Sequence, residues 1–216
     1  MIGYNPIYFI GAISLLGLSS FMLMMVTSYV KIIVVTSLVR NALGVQQIPP
    51  TMVMNGLAMV LTLFIMGPVA MSTMELMEKT PINLDGGPAE FVQTLDAISP
   101  PFREFIERNN DDRIVSMFMS TARRIWPKDK HHIIDSKNLL IAIPAFTISE
   151  LTKAFQIGFL LYLPFVTIDL IISNILLAMG MMMVSPMTIS LPFKLLLFVT
   201  LDGWLKISQG LMLSYH

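Results

Sequence analysis

LLIAIPAFTISELTKAFQIGFLLYLPFVTIDLIISNILLAMGMMMVSPMTISLPFKLLLFVTLDGW (Leu139–Trp204) consists almost wholly of Leu, Ile, Phe, Val, Ala and Met, yet carries Glu150, Lys153, Asp169, Lys194 and Asp202. A stretch this apolar belongs in a bilayer or deep in an assembly. A charge at the bilayer centre costs at least about 2.5–3.5 kcal/mol, so each of these side chains must face protein or water. The conflict points to membrane transport machinery more than to a water-soluble enzyme.

Composition agrees with that class. Of the 216 residues, 55% are hydrophobic and 13% charged, with mean hydropathy +0.72, whereas soluble domains carry about 25% charged residues. The length suits about four membrane segments, each crossing a core of about 30 Å. The formal net charge is zero, which leaves no basic footprint for nucleic acid. The absence of cysteine rules out disulfides, thiolate ligands and Cys nucleophiles. No Lys or Arg precedes Lys31 and no small-residue cleavage site is clear, so the first apolar segment is expected to be retained rather than removed as a signal peptide.

Pro144, Pro164, Pro186 and Pro192 are expected to cut the last third into pieces of roughly 15–20 residues; 15 residues of helix reach only about 22 Å. Broken helices are tolerated at membrane depth where protein or a water-filled cavity covers the backbone. Residues 75–138 are different in kind. They hold 20 of the 28 charged residues, 9 basic and 11 acidic, and read as a small soluble helical lobe. In it Gly86-Gly87-Pro88 marks a loop, Ser99-Pro100-Pro101 a helix start with Ser99 as N-cap, and Ile114, Val115, Phe118, Ala122 and Ile125 one apolar helix face ended by Pro127. Toward the N-terminus, Ile7–Val30 is long enough to span a bilayer. Lys31, an apolar piece to Val39, Arg40 and a short loop to Pro50 follow it. Thr51–Met74 is a further segment, marginal as a span because Pro68 interrupts it. Lys31 and Arg40 place the first loop in the cytoplasm, and hence the lobe outside the inner membrane. Three domains result: an N-terminal hydrophobic helical hairpin (1–74), the lobe (75–138), and a C-terminal broken-helix hairpin (139–216).

Several constellations can carry function. On a helix Ser149, Thr152, Lys153 and Gln156 share one side with Glu150 at its edge, and Glu150 and Lys153, three apart, can pair. The stripe locks a subunit interface, lines an aqueous path, or is an internal pair that only satisfies itself. Asp169, with Thr167, Ser173 and Asn174 as nearby polar residues, is a paired interfacial charge or a proton-relay acid. Lys194 and Asp202 are eight apart, too far to pair on one helix, and either can pair across subunits. Met181, Met182 and Met183 cannot all face one side of a helix, so they mark a loop or helix end. Methionine is flexible and polarisable; the cluster either crowds a constriction or fills a core gap. No HExxH, G-x-S-x-G or Walker A pattern occurs, so no enzyme and no cofactor is expected. His131-His132, with Asp129 and Asp135 nearby, reads as a solvated polar turn rather than a metal site.

LVRNALGVQQIPP (Leu38–Pro50), PAFTISELTKAFQIGFLLYLPF (Pro144–Phe165) and NILLAMGMMMVSPMTISLPFKLLLFVTLDGW (Asn174–Trp204) closely resemble the SctR/FliP family, export-apparatus proteins of type III secretion systems and flagella. The resemblance covers essentially the whole chain and looks more like the virulence (injectisome) branch than the flagellar one. It implies an all-α membrane protein of bent helical hairpins with a small periplasmic helical lobe. It further implies that about five copies join one SctS-like and one SctT-like type of subunit in a conical, helically arranged export gate at the bacterial inner membrane. SctU-like and SctV-like components of the same machine and secreted unfolded polypeptides are the further partners. The family's methionine gasket, which narrows the closed channel, carries over to Met181, Met182 and Met183. Two rival classes stand beside this reading: a secondary transporter or ion channel with Asp169 and Glu150 as coupling acids, favoured by broken helices with midplane charges, and a membrane scaffold with no conducting path.

Overall fold

The computed structural model describes residues 24–45, 47–79 and 96–215, together with Gly17 and Gln93; they form helices joined by short turns, with no strand among them. In chain order the helices are α1 (Tyr29–Leu43), α2 (Thr51–Lys79), α3 (Pro100–Asn109), α4 (Asp112–Ile125), a 3-10 turn (Lys128–Ile133), α5 (Leu139–Ala178), α6 (Pro186–Thr200) and α7 (Gly203–Leu213). Most of the Ile7–Val30 segment and the Gly86-Gly87-Pro88 loop lie outside the described residues.

The prolines break fewer helices than their spacing suggests. α5 runs through Pro144 and Pro164 for 40 residues, about 60 Å, and α2 runs through Pro68 for 29 residues, about 43 Å. A proline removes one N–H and costs about 3 kcal/mol inside a helix. The remaining turns of a long helix can carry that cost, and the ring of Pro164 is exposed. Pro186 does start a helix, and Pro192 lies within that same helix. α6 and α7 then meet at a bend of 58°.

α2 and α5 are long and apolar enough to cross a membrane, and the bent α6–α7 pair makes a third candidate span. Phe64, Leu63 and Val60 on α2 and Phe159, Leu160 and Leu170 on α5 are all exposed. Helices that are apolar all round need lipid or partner protein to cover them.

The chain divides into two compact units. One holds the described residues within Met1–Val30 and Val69–Ser149; the other holds Lys31–Pro68 and Glu150–His216. In the first, Val115 and Ala122 of α4 bury against Ile134, Ile141 and Ala145, with Phe118 and Trp126 packed around them. Ile125, expected on this face, is exposed: α4 stops at it, and Trp126 takes the place on the cluster. Asp111 caps α4 by accepting from the Arg113 amide at 2.9 Å. The same carboxylate holds the Arg113 guanidinium above its usual pKa, through its hydrogen bond first and its charge second. Ser99 precedes α3, with Pro100 and Pro101 in the first turn. Its hydroxyl does not cap the helix, because Ser99 is itself in a helical conformation (φ −78°, ψ −16°) rather than the extended one a cap requires; it donates to Asp96 O and accepts from Arg103 Nε. Phe105 meets Phe146 at 5.8 Å between ring centroids, and Asp111 N donates to the buried Ser149 Oγ at 3.0 Å.

In the second unit α1 lies alongside the α5 segment that begins at Glu150. Lys31 meets Glu150 and Leu38 meets Gly158 further along both helices, so the two run parallel. A Cβ on Gly158 would stand 3.1 Å from Leu38 Cβ and collide with Leu38 Cδ1, which explains glycine at that position. Phe198 of α6 stacks against Phe165 of α5 at 6.4 Å and edge-on against Trp204 of α7 at 5.3 Å.

Candidate functional site

The break between α5 and α6 is built by a glycine. Gly180 has φ +73°, a left-handed conformation that costs glycine nothing. Its amide bonds to Leu177 O at 3.0 Å and that of Met181 to Leu176 O at 2.9 Å, the paired bonds of a Schellman cap. Met181–Ser185 then form turns, and Pro186 opens α6 at a position where its missing N–H costs nothing. On the intervening loop Met181, Met182 and Met183 are 44%, 82% and 101% exposed. None of them is buried, unlike Met54. The flexible side chains of Met182 and Met183 stand out from a hairpin tip, with that of Met181 partly covered.

Glu150, Asp169 and Lys194 of the last third enter two knots, the first fully buried and the second with its carboxylate partly exposed. In the first, Glu150 is fully buried and its Oε2 lies 3.0 Å from Nζ of the equally buried Lys31 on α1. The Tyr215 hydroxyl donates to the same oxygen, and the Lys31 ammonium sits 3.7 Å from the centre of the Tyr215 ring, a cation–π geometry. Lys31 Nζ also donates to Ser214 Oγ at 3.4 Å. Lys153, the partner expected from i,i+3 spacing, is 3.6 Å from Glu150 Oε1 but 37% exposed.

In the second knot Asp169 of α5 accepts from Ser190 Oγ at 2.5 Å and from Lys194 Nζ at 2.6 Å, both on α6. Lys194 Nζ also donates to Ala42 O at 3.1 Å. That carbonyl lies in the last turn of α1, where helix carbonyls lack partners and the helix end carries partial negative charge. Ser173, the expected companion of Asp169, gives way to Ser190. Asp202 stands apart, in a left-handed conformation (φ 51°) between α6 and α7, on the wall of an apolar groove of about 680 Å³ lined by Leu43, Ile48, Leu191, Phe198 and Trp204.

In the charged middle segment His131 and His132 each engage a backbone carbonyl, Trp126 O at 3.1 Å and Asp129 O at 2.7 Å. Among the described residues no three His, Asp or Glu side chains converge as metal ligands do.

Residues 12–211 match the FliP family. The chain belongs to that family. It is similar to the Yop proteins translocation protein R of Yersinia pestis, 52% identical over 212 residues that cover 98% of this chain and 97% of that protein. It is also similar to the virulence protein YscR of Salmonella typhimurium, 48% identical over 200 residues (93% and 92%), and to the hypersensitivity response secretion protein HrcR of Ralstonia nicotianae, 47% identical over 203 residues (93% and 93%).

In this FliP-family chain the residues that sequence reasoning missed are Lys31, Tyr215 and Ser190. Lys31 gave one signal, a single basic residue in an otherwise apolar run, and was read only as a marker of the cytoplasmic side. Tyr215 and Ser190 gave none, because a hydroxyl near a helix end is ordinary until the fold brings a carboxylate to it.

Proposed function

We propose that this chain is a core subunit of the type III secretion export gate of the injectisome branch, forming part of a protein-conducting channel for unfolded substrates at the bacterial inner membrane. Membership of the FliP family and the secretion, virulence and translocation names of its relatives support a place in the secretion apparatus. The observation that carries the channel reading is the tip of the α5–α6 hairpin, where Met182 and Met183 are almost wholly exposed and Met181 is partly exposed. About five copies, with SctS-like and SctT-like subunits, would bring several such tips together on one axis. Methionine adapts its shape at low cost, so a ring of these side chains closes against small ions and yields around an extended polypeptide. The exposed apolar faces of α2 and α5 are then covered by sister subunits and lipid, the charged segment 75–138 lies on the periplasmic side, and SctU-like and SctV-like components complete the machine. The chain does no chemistry on its substrate; energy comes from an ATPase or the proton-motive force elsewhere.

Replacing Met181, Met182 and Met183 together by alanine is expected to make the assembled gate leak small solutes while the complex keeps its size on native gels. Wild-type leakage and wild-type secretion in that variant would refute the seal. A coupling-acid transporter is the weaker reading, since Glu150 and Asp169 are each already bonded to a lysine.

A further inference from the structure

The second knot joins the two helices that carry the methionine loop; Lys194 is buried and Asp169 is partly exposed. Asp169 precedes the end of α5, while Ser190 and Lys194, four apart and therefore on one face, occupy the middle of α6. The loop between the helices is exposed, but both Ser190 and Lys194 are buried. The carboxylate takes one α6 donor on each oxygen, at 2.5 Å and 2.6 Å. This fixes both the separation of α5 and α6 and their register along each other. The ammonium then reaches Ala42 O at 3.1 Å, next to Gly44, whose φ of +75° turns the chain away at that point. A single Lys194 thus joins three helices, and a buried ammonium left without its carboxylate is strongly unfavourable.

We propose that Asp169, Lys194 and Ser190 are positioning residues for the seal: they clamp the roots of the 179–185 loop to each other and to the end of α1, so that the methionines flex while their anchor stays fixed. This rests on the reading of Met181–Met183 as the seal and adds what holds them in place. The bonds of the clamp are all made within one chain. It also predicts that charge alone is not enough. Exchanging the pair (Asp169→Lys with Lys194→Asp) restores opposite charges but sets a carboxylate against the Ala42 carbonyl, whereas Lys194→Arg keeps both bonds.

The test uses the complete complex, co-expressed with its partner subunits and reconstituted in liposomes, with iodide entry quenching a trapped fluorophore as the leak readout. Root geometry is read separately by spin-label distances between cysteines placed at Ala178 and Thr188, both exposed, in a chain with no cysteine of its own. Asp169→Asn is expected to broaden that distance distribution and to raise the leak several-fold with complex size unchanged. Ser190→Ala should do so more weakly, Lys194→Arg should stay near wild type, and the exchanged pair should remain broad and leaky. If Asp169→Asn does not assemble, Ser190→Ala carries the test alone. An unchanged distance distribution in Asp169→Asn, or in Ser190→Ala where only that variant assembles, overturns the clamp whatever the leak does. If the methionine triple variant leaks and the clamp variants do not, the clamp has no part in the seal. If the distances broaden but the methionine variant itself stays tight, the clamp holds and the reading of the loop as a seal fails.

Discussion

Replacing Lys31 by methionine removes the ammonium from the first knot and leaves Glu150 fully buried with its main counter-charge gone. The magnitude follows from the geometry. At 3.0 Å two unit charges attract by about 5.5 kcal/mol at an effective dielectric of about 20, and this attraction offsets the desolvation of both groups. Removing one partner of such a pair typically costs about 3–5 kcal/mol, a large share of a native stability of about 5–15 kcal/mol. Lys153 is the control. It sits 3.6 Å from the same carboxylate but is 37% exposed, and a pair of that kind is worth about 0.2–1 kcal/mol. Lys153→Ala should therefore be mild where Lys31→Met is severe. Tyr215→Phe takes one donor from the carboxylate and should fall between them, at about 1–3 kcal/mol. Lys31→Met, Glu150→Leu and Tyr215→Phe combined leave no buried polar group of the knot unpaired, and should recover most of the loss, because replacing a whole buried ion pair by apolar residues is often neutral. The assay is reversible SDS unfolding of the purified chain in mixed micelles, followed by tryptophan fluorescence. Equal tolerance of Lys31→Met and Lys153→Ala, or a triple variant worse than Lys31→Met alone, would refute the reasoning.

Two further outcomes follow from the backbone. Gly158→Ala puts a Cβ into Leu38 and should destabilise the chain by about 1–3 kcal/mol, the usual cost of overpacking; adding Leu38→Ala should restore much of it in the same unfolding assay, and additive losses would show that the two helices do not touch there. Asp202 holds a left-handed conformation that costs most L-residues roughly 1–2 kcal/mol, so Asp202→Val should be destabilising and Asp202→Gly neutral or better; equal losses in both variants would mean that the carboxylate rather than the backbone matters at that turn.

The helical class, the loop at the methionines and the start of α3 were legible in the sequence because each is written in local signals: apolar runs, a Gly-Met-Met-Met-Val-Ser-Pro break, a Ser-Pro-Pro start. The uninterrupted α5 was not. Proline chemistry is local, but whether it stops a helix depends on how many neighbouring turns remain bonded: Pro144 lies near the start of α5, and Pro164 has several turns on both sides. The i,i+3 rule found Lys153 for Glu150 because that rule can see only along one helix.

The two knots belong together with Gly158 in a single arrangement. Parallel helices set their dipoles side by side, which is unfavourable, and α1 and α5 run parallel. Three contacts hold them together: Lys31, a cation of unfavourable sign for the first turn of α1, bonds Glu150, Gly158 lets Leu38 approach closely midway, and the Lys194 ammonium meets a carbonyl in the last turn of α1, where a cation is stabilising. That ammonium needs a counter-charge in an apolar setting, and Asp169 supplies it. Lys194 reaches across 152 residues of sequence to Ala42, so no window along the chain could have shown the pairing. Of the charges that looked costly in an apolar run, Lys194 is therefore matched to a helix end and to Asp169, whereas Lys31 relies on Glu150 alone for its compensating charge, and removing either carboxylate should disturb the packing of α1 on α5 first.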